Sequence, residues 1–206
     1  MPLTAKKTFF GDLAFEVCEH VYEPAEDSFL FAENLSVKEG ERVLDMGTGS
    51  GILGILSAKQ GGEVVAIDVN PYAVQCAKHN ALTNHVQERM AFLRADLFNA
   101  LNVDACFDVI LFNAPYLPSD AFESESWLGR AWAGGTTGRS VIDRFISQVP
   151  THLKQMGRVL LMQSNLADVA ETQRRFAEFN MAVRVLAELA LPFFEKLTLL
   201  QAAFDA

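Results

Sequence analysis

Asn113, Ala114, Pro115 and Tyr116 are the residues of this chain best suited to chemistry on a flat polar group. They follow an apolar run, Val109-Ile110-Leu111-Phe112, that reads as a buried parallel strand. The four therefore stand at a strand's carboxyl end, where open α/β sheets bind ligands. An Asn there can accept hydrogen bonds from an amide-like nitrogen, and a Tyr can stack on its plane. Upstream, Asp45-Met46-Gly47-Thr48-Gly49-Ser50-Gly51 offers a second ligand loop. Together the two segments point to methylation of a planar amino group.

The glycines at 47, 49 and 51 would let backbone amides approach a ligand closely. A dinucleotide fingerprint needs its third Gly three residues after the second, and that position is Ile52. The spacing, preceded by Asp45, suits S-adenosylmethionine better than NAD. Asp45 suits that cofactor's positively charged amino group, directly or through water. Asp68 ends the next predicted strand, where a carboxylate accepts from both ribose hydroxyls. Asp96 ends the one after it and can accept from the adenine amino group while Leu97 covers the ring. Each acid alone also reads as a helix cap or a surface charge. Their recurrence at successive strand ends, beside three glycines, carries the cofactor expectation.

The elements that would position these groups alternate between strand and helix, the pattern of a parallel sheet with helices on both faces. Strands are expected at 41–46, 64–68, 91–95, 107–112 and 157–162. Helices are expected from Gly51 to about Ser57, from Pro71 onward, at about 138–149 and at 166–179, the last with Leu166, Val169, Ala170 and Phe176 facing inward. Asn70-Pro71 is a strong helix start, with Asn as the cap and Pro at the first helical position. Met181–Ala190 and Lys196–Phe204 read as an antiparallel hairpin at a sheet edge. Residues 8–10 and 13–17 flank Gly11-Asp12 as a small amino-terminal hairpin, and a helix follows at 25–35. Residues 115–137, with Trp127 and Trp132 expected to be exposed, form a long loop of the kind that is usually functional. It reads as substrate-facing.

The chain has 206 residues and a formal net charge of −9. That length fits one domain burying roughly 70% of its unfolded surface. The expected division is an extension at 1–38 and a core at 39–206. No stretch is apolar and long enough for a membrane span, and Met1 to Lys7 lacks the apolar core of a signal peptide. The cysteines (18, 76, 106) and histidines (20, 79, 85, 152) form no metal-binding spacing. Free thiols in a reducing cytoplasm are the expectation. An acidic surface repels phosphate backbones, which disfavours nucleic acid as a partner.

With these motifs the chain resembles class I methyltransferases, and within them the HemK-like protein-glutamine methyltransferases. The family's Asn-Pro-Pro-Tyr appears as Asn113-Ala114-Pro115-Tyr116. Tyr22-Glu23-Pro24-Ala25-Glu26-Asp27-Ser28 and Ala131-Trp132-Ala133-Gly134-Gly135, followed by Gly138-Arg139, are similar to the short archaeal and eukaryotic branch that modifies class I translation release factors. The resemblance covers roughly residues 20–165. It implies a doubly wound, mostly parallel, Rossmann-like seven-stranded sheet, without the extra amino-terminal helical domain of the bacterial branch. It implies cofactor contacts at Ser28, Asp45, Gly47, Gly49, Gly51, Asp68, Asp96 and Leu97. Asn113 and the carbonyl of Ala114 would hold a glutamine amide, with Pro115 restricting the backbone and Tyr116 and Trp132 lining the acceptor. A small zinc-binding activator protein is a further implied partner.

Asn113 alone does not distinguish a glutamine from an adenine or guanine amine, so a nucleic-acid N-methyltransferase stands as the alternative. A cofactor-binding regulatory partner without turnover is a third reading, opposed by the intact Asn113 and Tyr116.

Overall fold

A computed structural model describes residues 6–205. The reading of the first seven residues rests mostly on positions 1–5, outside that range. Among the described residues, nine strands form a two-stranded hairpin and a seven-stranded mixed sheet. The residues divide into two compact units, one up to Leu101 and one from Asn102.

The first unit opens with β1 (Lys6–Phe10) and β2 (Leu13–Val17), antiparallel about Gly11-Asp12. α1 (Glu26–Glu33) carries Glu26 and Asp27 in its first turn, where negative charge complements the helix dipole. β3 (Arg42–Met46), β4 (Glu63–Asp68) and β5 (Met90–Arg94) pair in parallel. α2 (Ile52–Lys59) and α3 (Pro71–Thr83) connect them. The Asn70 side chain accepts the Tyr72 N–H at the start of α3. It thereby satisfies one of the amides that a helix start leaves unpaired.

Two further asparagines of this helix region fasten the hairpin. Asn80 accepts the Glu16 N–H and donates to the Glu16 carbonyl, at 2.9 Å each. One turn later Asn84 does the same to Ala14, at 3.2 and 2.8 Å. Side-chain amides thus stand in for a neighbouring strand along β2, which explains why so short a hairpin has a fixed place.

In the second unit β6 (Phe107–Asn113) pairs in parallel with β7 (Leu153–Ser164). β8 (Met181–Ala190) and β9 (Lys196–Phe204) form the antiparallel carboxyl-terminal hairpin, with β9 against β7 and β8 at the edge. Val109, Ile110 and Leu111 are fully buried, as an unbroken apolar run on a doubly covered strand should be. The helices of this unit are α4 (Trp127–Arg130), α5 (Ser140–His152) and α6 (Val169–Ala177). Phe145 of α5 packs on Phe112 with ring centroids 4.6 Å apart, and both are buried.

Three expectations are corrected. Leu166 and Ala170 do not face inward. Asp168, at φ 54°, separates a short turn at 165–167 from α6 and resets the helix phase, so Ala167, Thr172 and Phe176 are the buried residues. Trp127 and Trp132 are half-buried rather than exposed. The segment from 115 to 137 is not an open loop, because α4 lies within it and Leu117 bridges Ala133.

Candidate functional site: a glycine loop and an acceptor motif

In the first unit the chain turns from β3 into α2 through three glycines with φ 66°, 56° and 89° at 47, 49 and 51. This is the left-handed region that glycine enters at no steric cost. A Cβ on Gly51 would lie 3.1 Å from Ala77 and Ile55, so this turn also needs glycine for space. A Cβ on Gly49 would meet nothing nearer than a carbonyl oxygen at 3.9 Å. The loop is therefore tight where it packs and open at Gly49.

Two carboxylates hold this loop. Asp45 is buried, and its Oδ2 accepts the Thr48 hydroxyl at 2.6 Å and the Gly54 N–H at 3.0 Å. Burial pushes its pKa up to about 7 against those two hydrogen bonds, and the nearby Asp68 charge adds to the rise. Asp68 accepts the Gly49 N–H on Oδ2 at 3.0 Å and the Asn70 N–H on Oδ1 at 2.8 Å. Desolvation raises its pKa as well, while the backbone N–H groups oppose the rise.

Asp96 is half-buried just beyond β5. Leu97 follows it at φ 50° and is 6% exposed. A leucine in the left-handed region is strained, and such residues persist where the surroundings hold them, often at ligand sites. Ser28 is buried in α1, with its N–H and hydroxyl both donating to Asp27 Oδ1, at 2.6 and 3.1 Å.

In the second unit Asn113 ends β6, level with Met162 of β7. Ala114 is 3% exposed; Asn113, Pro115 and Tyr116 are half-buried. The next segment is braced by the other motif. Leu117 N–H donates to the Trp132 carbonyl at 2.9 Å, and Gly134 N–H donates to the Leu117 carbonyl at 2.8 Å. Ser119 N–H continues the ladder to the Gly135 carbonyl. Gly138, at φ 72°, lies so close that a Cβ there would stand 2.3 Å from the Tyr116 carbonyl oxygen. The two signatures at 113–116 and 131–138 are thus one braced assembly.

Sequence reasoning missed two supports, one in each unit. Thr48 stands three residues after Asp45 in the glycine loop, a spacing that could have flagged the hydroxyl–carboxylate pair. Arg139 is buried and donates to the Ala167 and Asp168 carbonyls, the Thr172 hydroxyl and Asp143. It ties the start of α5 to the turn before α6; the i,i+4 spacing signals Asp143, but nothing in the sequence neighbourhood signals the partners at 167–172.

Comparison with known proteins agrees with this arrangement. Residues 23–115 match the family of the ribosomal protein L11 methyltransferase (PrmA). A provisionally named protein N5-glutamine methyltransferase of Methanocaldococcus jannaschii is 44% identical over 85% of this chain and 88% of its own. Methyltransferase HEMK2 of Homo sapiens is 33% identical over 75% of this chain and 76% of its own. Among solved structures, the E. cuniculi Mtq2–Trm112 complex, described as responsible for methylation of the eRF1 termination factor, aligns with a TM-score of 0.70. It is 25% identical and covers 90% of this chain and 99% of the aligned one. With the glycine loop, the strand-end acids and the Asn113–Tyr116 motif all in place, the chain belongs to the HemK-like protein-glutamine methyltransferase family.

Proposed function

We propose that this chain transfers a methyl group from S-adenosylmethionine to the side-chain amide nitrogen of a glutamine in a class I translation release factor. The observation that carries the reading is the braced Asn113–Tyr116 segment at the end of β6, in a chain whose relatives are named for glutamine methylation.

The first unit fits the cofactor. A carboxylate offers about four lone-pair positions. Asp68 engages the Gly49, Asn70 and Val69 N–H groups, and its remaining acceptor capacity would serve the ribose hydroxyls. The open face of Gly49 gives a ligand room beside the loop. Asp96 and the buried, left-handed Leu97 would hold the adenine edge and ring. Ser28, Gly47 and Gly51 complete the proposed contacts, and Asp45 sets the loop from within. S-adenosylmethionine supplies an electrophilic methyl group on a sulfonium.

The rest falls to the second unit. A glutamine amide nitrogen is a poor nucleophile, because its lone pair is delocalised into the carbonyl. The Asn113 side-chain carbonyl and the Ala114 backbone carbonyl would each accept one amide hydrogen. Held this way, the nitrogen is aimed, and the positive charge that grows on it is stabilised. Pro115 restricts the backbone of residue 114. Tyr116 packs on the amide plane, with Trp132 lining the acceptor side. The proton leaves afterwards to water, so no strong general base is needed.

A nucleobase acceptor is the second reading. A tRNA1(Val) adenine N6-methyltransferase of a Flavobacteriaceae bacterium is 29% identical over 54% of this chain, and the Asn113 chemistry suits both amines. The net charge of −9 weighs against it. The Mtq2–Trm112 likeness favours a small partner subunit, which the family resemblance makes a zinc-binding activator. A translation-factor substrate makes the cytoplasm the working compartment; among the described residues no helix is long and apolar enough to cross a membrane.

Labelled-methyl transfer into purified release factor and into bulk RNA, read by mass spectrometry of the modified residue, tests the proposal. Label on a glutamine of the release factor is the expected result. Label confined to RNA overturns it.

A further inference from the structure

The turn between β8 and β9 is chemically out of character. Phe193 and Phe194 are 97% and 98% exposed, with φ of 60° and 65°. Hairpin turns needing positive φ take Asn, Asp or Gly, and bulky side chains avoid that region. The tip is nonetheless tightly made. Leu191 N–H donates to the Glu195 carbonyl at 2.8 Å. Asn165 donates to the Phe194 carbonyl at 3.2 Å and accepts the Lys196 N–H at 2.8 Å. Leu166, next to that Asn, is 49% exposed. Two strained aromatics held out to water weaken a fold by every local rule, so their residue types call for a reason outside the chain.

The tip stands at the same sheet end as the acceptor motif. Asn113 is level with Met162, and Ser164, two residues on, is level with Leu197 of β9. Strand spacing and rise place the tip roughly 20 Å from Asn113. An interface of about 800 Å² per partner is a disc of roughly 16 Å radius. Such a disc is about 32 Å across, so one protein delivering a side chain to Asn113 has the reach to cover the tip as well. The two rings alone offer about 400 Å², half of what a standard interface needs from each partner. That is too little to hold a second copy of this chain, but enough to anchor an interface whose remainder surrounds the acceptor site.

We propose that Phe193 and Phe194 are a docking point for the methyl-accepting protein, seated on an apolar surface of that protein outside its modified glutamine. The proposal rests on the glutamine-methyltransferase reading above. Its test is the double variant Phe193→Asn/Phe194→Asn, since Asn tolerates the left-handed backbone. Phe194→Asn alone carries the comparison should the double variant melt early. Steady-state transfer is measured to intact release factor and to a short peptide around its glutamine. KM for the intact protein should rise at least about tenfold, while kcat, peptide transfer and S-adenosylmethionine affinity hold within about twofold. An unchanged KM for the intact protein, with transfer by the unaltered enzyme established, sinks the docking point alone. Failure of the unaltered enzyme to methylate release factor removes the function and the docking point together. Sedimentation showing a dimer that the variant dissolves assigns the tip to a second copy and overturns the proposal.

Discussion

Asp68 caps Gly49: the carboxylate ending β4 accepts the N–H of the middle glycine at 3.0 Å, while its other oxygen holds Asn70 at 2.8 Å. One side chain thereby sets the glycine loop after β3 and the start of α3. It still keeps acceptor capacity for a ligand.

Asp68→Ala should lower S-adenosylmethionine affinity by ten- to a hundredfold, since hydrogen bonds to a charged acceptor are worth about 1.5–3 kcal/mol. Calorimetry is the measurement. Affinity equal to that of the unaltered protein would show the ribose assignment to be in error.

The buried Asp45 makes stability depend on pH. Its folded pKa of about 7 lies above the ordinary value of 3.8, so between those limits the folded state binds more protons than the unfolded one. Its contribution is therefore intact below pH 3.8 and is lost as pH rises towards 7. The loss amounts to at most about 4 kcal/mol. Asp45→Asn keeps an oxygen for Thr48 and Gly54 and has no such proton. Urea unfolding from pH 4.5 to 7.5 should show a shallower decline in this variant; parallel declines would assign the dependence to other groups.

Much of this site was legible in the chain. The glycines at 47, 49 and 51 announced a loop of close backbone approach after β3, though not that all three would be left-handed. Asn70-Pro71 announced the start of α3 through cap chemistry that is wholly local. Supports that act across long sequence separations were illegible. Asn80 and Asn84 read as ordinary helix polar residues until β2, some 64 to 70 positions away, comes to lie beside them. The inward face of α6 was misassigned because Asp168 shifts the helix phase. A periodicity reading that treats 166–179 as one helix cannot register that shift.

Gly138→Ala places a methyl 2.3 Å from the Tyr116 carbonyl oxygen, at φ 72°. Backbone must move, and the left-handed penalty adds about 1–2 kcal/mol. Turnover should fall more than tenfold and the melting temperature should drop, while S-adenosylmethionine affinity holds within about twofold. Full turnover in a folded variant would show that Tyr116 does not need this contact to be placed.

Asn113→Ala should leave cofactor affinity nearly intact and reduce methyl transfer at least about tenfold, on the order of 1.4 kcal/mol of transition-state stabilisation. Parallel measurement of calorimetric affinity and turnover separates the roles. Matching losses in both would make Asn113 a structural residue.

Position 114 tests which group of the motif acts. Ala114 replaces the family's first proline, and the proposed acceptor is its backbone carbonyl, which both residues possess. Ala114→Pro should keep turnover or raise it modestly. Pro115 already biases residue 114 towards extended geometry, and the gain from fixing one residue's backbone is at most about 1 kcal/mol. The site is tight, however: Ala114 is 3% exposed, so the ring must fit a packed surround and dispense with the residue's N–H. Either demand, if unmet, appears as lost turnover. Steady-state transfer by the two forms decides between these outcomes. A large fall in turnover with cofactor affinity unchanged would mean that Ala114 contributes more than its carbonyl.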